Sequence, residues 1–103
     1  MIEVTEQAKA ALLALMRAAG IQQPEVGLRL KFGADGTLGL FPDRLKAGDE
    51  VVTYGEASVL LVDPAMSALV ITGRIIDCRR IRADEVEFFL RRRAIGEGRS
   101  FVA

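Results

Sequence analysis

No histidine occurs among the 103 residues, and cysteine occurs once. The first absence removes the usual general base and the commonest metal ligand. The second excludes an intrachain disulfide framework and a multi-cysteine zinc site. Charge of one sign is not in excess: 14 Lys and Arg balance 14 Asp and Glu, which argues against a general polyanion binder. Long apolar runs are missing too. Stretches such as Val59–Val62 and Leu69–Ile71 fall far short of the roughly 20 residues a membrane span needs. The start, MIEVTEQ, is acidic and lacks an apolar region ahead of a cleavage site. With the single thiol, this makes a cytoplasmic location the expectation.

What remains can fold. Half the residues are hydrophobic and the net charge is zero, which is the opposite of the disorder signature. One domain over residues 1–103 is the expectation for this length.

Along the chain the period changes twice. Met1–Val4 suits an edge strand. Thr5 suits an N-cap and Glu6 the first turn of a helix. Ala8, Leu12, Leu15, Met16 and Ala19 share one helical face, and Gly20 suits the residue after the last turn. A helix over Glu6–Ala19 follows. Val26, Leu28, Leu30 and Phe32 then alternate with Gly27, Arg29 and Lys31, which predicts a half-buried strand. Gly33-Ala34-Asp35-Gly36 predicts a turn and Thr37–Phe41 a second strand, with loop from Pro42 and Asp43 to Gly48-Asp49. Glu50–Tyr54, Ser58–Val62 and Arg74–Arg79 predict further strands from their Val and Ile content. Asp63 and Pro64 are a favoured N-cap and first residue for a short helix. Val86–Leu90 suits a last strand, and residues 95–103 suit a flexible Gly-containing tail. The order implies an α+β fold with a mostly β core.

IEVTEQAKAALLALM, VGLRLKFGADGTLGLFPD, GDEVVTYGEASVLLVDPAMSALV, IIDCRR and GEGRSF, in this order, resemble the segments of the HesB-like family, the A-type iron–sulfur cluster carriers. The resemblance spans nearly the whole chain. It implies a mostly β core of mixed strands with one N-terminal helix and one short helix. The family's cluster ligands are three cysteines, one in the hairpin and two in a C-terminal motif. Here the hairpin position reads Gly33-Ala34-Asp35-Gly36, and the tail positions fall on Ile95 and Glu97. Cluster ligation needs thiolates, with histidine as the familiar substitute. The chain is thus similar to members without these cysteines, one group of which, the DsrR type, is associated with bacterial dissimilatory sulfur oxidation.

Each candidate residue has a plain alternative. Cys78 lies in an apolar strand and suits an inert core thiol, although Arg79 and Arg80 beside it could activate it. Asp35 and Glu97 are oxygen ligands that could hold a cation, or a turn residue and a solvated tail residue. Asp49-Glu50 and Asp84-Glu85 read as solvated loop neighbours. Residues 1–73 carry net −3 and residues 74–103 net +3, and Arg79, Arg80, Arg82, Arg91, Arg92 and Arg93 account for most of the difference. They suit a solvated face or a protein-docking surface, since Arg forks onto carboxylates. Only Phe88 and Phe89 lie among them, so RNA binding through stacked bases is a poorer fit. Gly96–Gly98 precedes no helix that would receive a phosphate, and Ser58, Ser67 and Ser100 have no histidine to activate them. The expectation is a non-enzymatic interaction or regulatory module of sulfur or iron–sulfur metabolism. It needs no cofactor, and it has a protein partner and a weak homodimer as the resemblance implies. The competing expectations are an iron or cluster binder using other ligands and an RNA-binding regulator.

Overall fold

Thr5 turns the chain from its first short strand, β1 (Glu3–Val4), into the first helix, α1 (Glu6–Ala18). The Thr5 hydroxyl accepts the Ala8 amide at 3.1 Å, which satisfies one of the donors a helix start leaves open. Gly20 ends the helix with φ +74°, a left-handed conformation that costs glycine little. The computed structural model describes residues 2–83, 85–92 and 100–101. In them follow β2 (Val26–Phe32), β3 (Leu38–Arg44), β4 (Glu50–Tyr54), β5 (Ala57–Val62), the short helix α2 (Pro64–Met66), a π-helical turn at Ser67–Ile71, β6 (Arg74–Arg82), β7 (Glu85–Arg92) and β8 (Ser100–Phe101).

The strands form two four-stranded mixed sheets. One has the order β1-β6-β7-β8 and the other β3-β2-β5-β4. β1 runs parallel to β6 and β2 parallel to β5, while the remaining pairs are antiparallel. Ala8, Leu12 and Met16 of α1 join Leu28, Leu30, Leu60, Ile76, Phe88 and Leu90 from both sheets in one apolar core. Full burial of a side chain such as Leu12 contributes about 2–3 kcal/mol.

Ser100 and Phe101, expected in a flexible tail over residues 95–103, pair with Phe89 and Phe88 as β8. The other tail residues lie outside the described ones. Three further features depart from the sequence reading. Pro42 and Asp43 are strand, not loop, because β3 is an edge strand and a proline there breaks no ladder bond. β2 is not half-buried: Gly27 and Arg29 are buried along with Leu28 and Leu30, while Phe32 is exposed. A Cβ at Gly27 would lie 2.6 Å from the Ser58 carbonyl oxygen and 3.3 Å from Leu61 Cγ, so the close approach of β5 requires glycine. β6 and β7 are also longer than their apolar cores suggested. They form a hairpin whose register shifts between Arg80 and Arg82, so Ile81 is an extra residue at a bulge. The short helix starts as the sequence suggests, with the Asp63 carboxylate accepting the Met66 amide at 2.7 Å.

Candidate functional site

Asp35 stands at the tip of the β2–β3 hairpin. Its carboxylate accepts the Thr37 amide at 3.1 Å and the Thr37 hydroxyl at 2.7 Å. These bonds, the hydroxyl's first, hold its pKa below the ordinary carboxylate range. The side chain thereby closes its own turn. Ile95 and Glu97, the other two positions where the resemblance implies a family cysteine, lie outside the described residues. Among the described residues no group of three His, Cys, Asp or Glu side chains is placed to hold a metal ion.

Cys78 sits on β6 with 6% exposure, part of the core beneath α1. Burial pushes its thiol pKa up and the neighbouring Asp77 charge adds to this, against a smaller opposing effect of Arg80. A thiol held protonated is a poor nucleophile and a poor ligand.

The arginines divide by what they meet. Arg79 reaches Glu87 at 2.7 Å and lies 5.2 Å from the centre of the Phe89 ring. Arg91 donates to Asp77 at 3.2 Å. Asp77 also accepts the Thr5 hydroxyl and the Cys78 amide, each at 2.8 Å. Burial works to raise the Asp77 pKa, but these three donors outweigh it and leave the pKa lowered. Arg80 donates to the Ala83 carbonyl at 2.7 Å. Arg82 stands 3.6 Å from Glu85 and is largely exposed, as is Arg92. Arg93 lies outside the described residues. The β6–β7 hairpin therefore gathers Arg79, Arg80 and Arg82 at one end, while Arg91 and Arg92 lie toward the other.

A buried charge network was missed in the sequence. Arg29 has 5% side-chain exposure and Asp49 has 1%. The Arg29 fork donates to both Asp49 oxygens at 2.9 and 2.7 Å, to Asp43 at 2.6 Å and to the Arg44 carbonyl at 3.1 Å. Asp49 also accepts the Lys46 amide at 2.7 Å. Asp49 is thus no solvated loop residue, since the loop between β3 and β4 folds its carboxylate inward onto β2. Its neighbour Glu50 belongs to β4 and accepts the Ser67 hydroxyl at 2.6 Å. Glu85 belongs to β7, and Asp84 lies outside the described residues. The Arg44 amide, followed by Arg29, pulls the Asp43 pKa down to about 2. The Arg29 hydrogen bond is the chief cause of the lowered Asp49 value. The one available signal was an arginine inside an apolar strand, which needs a partner when buried.

The architecture is α+β, with an N-terminal helix on a mostly β core, and it fits a HesB-like fold. Among solved structures the chain is similar to the Escherichia coli protein SufA, titled as involved in biosynthesis of iron–sulfur clusters. The TM-score is 0.57 at 19% identity, over 87% of this chain and 83% of that one. No family model and no curated protein sequence matches it. Among the described residues no helix is long and apolar enough to cross a membrane.

Proposed function

We propose that this chain is a non-enzymatic interaction or regulatory module in iron–sulfur or sulfur metabolism, acting in the cytoplasm through a protein partner. The observation that carries the reading is the hairpin tip. The fold is shared with a protein of iron–sulfur cluster biosynthesis, yet where the family resemblance puts a ligand cysteine stands Asp35, whose carboxylate is engaged by Thr37. The arginines of the β6–β7 hairpin supply docking charge. A role beside dissimilatory sulfur oxidation, as in the DsrR type, is the finer form of this reading. A weak homodimer is compatible with it.

Anaerobic incubation with ferrous iron and sulfide, followed by desalting, tests the proposal. The expected result is no stoichiometric charge-transfer absorption in the visible range. A band that survives desalting would overturn it in favour of a cluster binder, and its loss in Cys78→Ser would locate the ligand.

A further inference from the structure

Between the end of α1 and the β4–β5 turn lies a cleft of about 480 Å³, within the roughly 300–1,000 Å³ usual for small-molecule sites. Leu13 and Met16 of α1, with Ile21 and Val26, supply its apolar lining. Tyr54, which packs against the core, and Ser58 add hydroxyls, and Gln22 and Gln23 add amides. Two charged side chains line the cleft, Arg17 from the helix and Glu56 from the turn. Gly55 makes that turn with φ +63°, as the first residue of a tight hairpin turn requires. Among the described residues neither charged side chain has a hydrogen-bond or ion-pair partner, and they do not pair with each other. Elsewhere on the surface Lys9, Arg44 and Arg79 each meet a carboxylate. One cleft thus holds an apolar wall and two unpaired charges of opposite sign.

We propose that this cleft binds a free α-amino acid with an apolar side chain. Its carboxylate lies on Arg17, its ammonium on Glu56 and its side chain against Leu13, Met16 and Val26. Charge complementarity chooses the ligand class. An anion such as a nucleotide would face Glu56, and a simple cation would face Arg17. An internal peptide segment carries neither terminal charge. A zwitterion answers both in one small body, and the guanidinium fork suits its carboxylate. The apolar wall favours a hydrocarbon side chain over none. None of the β6–β7 arginines lines this cleft, so the site goes beyond the docking reading and does not depend on it.

The test uses the full chain in mildly acidic buffer at low salt and four probes. They are L-leucine, leucinamide without the carboxylate, 4-methylpentanoate without the ammonium, and glycine without the side chain. Amide shifts in nitrogen–proton NMR spectra give both location and affinity. Leucine is expected to move the amides of Arg17, Gln22, Gly55, Glu56 and Ala57 saturably. Each of the other three probes should bind at least about fivefold more weakly, the upper size of a solvent-accessible ion pair. Arg17→Gln should weaken leucine by a similar factor and leave leucinamide unchanged, because the group that met the guanidinium is already gone. Glu56→Gln should weaken leucine and leave 4-methylpentanoate unchanged for the same reason. Arg17 and Glu56 are both exposed, and their side chains bond nothing within the described chain, so these variants keep the fold. Absence of saturable shifts with leucine, or shifts centred outside these residues, would overturn the proposal. Equal binding of leucine and either singly charged probe would also overturn it. The docking reading stands or falls separately, on the iron and sulfide incubation.

Discussion

Arg29 carries a full charge between two buried leucines of β2, Leu28 and Leu30. Such a charge is tolerable only with its donors satisfied, and here Asp49, Asp43 and the Arg44 carbonyl do this. Asp49→Ala removes the two-pronged partner and leaves the buried guanidinium with Asp43 and the Arg44 carbonyl alone. The expected loss is about 3–5 kcal/mol, read as a lower urea midpoint at unchanged slope. A loss below about 1 kcal/mol, the level of an exposed pair, would contradict this account. The same network sets an acid limit. Asp43 and Asp49 have lower pKa values folded than unfolded, so in acid the unfolded chain binds more protons. Their contribution is complete above the ordinary carboxylate range of about 4. It declines as pH falls toward the folded Asp43 value of about 2. Urea midpoints that stay level from neutral pH to about 4 and then drop would bear this out. In Asp49→Ala the acid drop should be shallower.

At the scale of elements, Thr5 joins two of them with one hydroxyl. It accepts from the first turn of α1 and donates to Asp77 on β6. Thr5→Val keeps the shape and loses both bonds, so a loss of about 1–2 kcal/mol is expected. Thr5→Ser should retain most of the stability in the same thermal or urea measurement. The helix was legible because cap, apolar stripe and terminal glycine agree on it. The α2 start was legible from Asp63-Pro64 for the same reason. Strand limits were less so. Pro42 punctuates a sequence, but whether it ends a strand depends on which strand is the edge, and that is a property of the assembled sheet. The alternation in β2 misled because β2 is buried on both faces, which neighbouring elements decide. The π-helical turn at Ser67–Ile71 leaves no periodic signature in five residues.

For the molecule as a whole, the fold class was readable from the family-like segments, whereas for a site the sequence offered only candidate residues and what the resemblance implies. Asp35 was placed correctly in a turn, but its engagement by Thr37 needed coordinates, as did the partner each arginine meets. The charge map follows the architecture. The basic excess of residues 74–103 falls mostly on the sheet of β6 and β7, and the acidic excess on the remainder. A neutral molecule whose charges are unevenly distributed attracts its own kind when ions are few. Static light scattering near the isoelectric point of about 6.3 should show attraction at low salt that weakens at about 0.15 M. The sheet pairings also set an order of assembly during synthesis. β2 to β5 close their sheet within residues 26–62, so it can form while the ribosome is still at work. β1 must wait for Ile75 and Ile76, and Thr5 for Asp77. β1 is thus made well before the strand that secures it. Until β6 has emerged, the apolar face of α1 lacks one of its two sheets, and that nascent stage is when the helix most needs shielding from its neighbours.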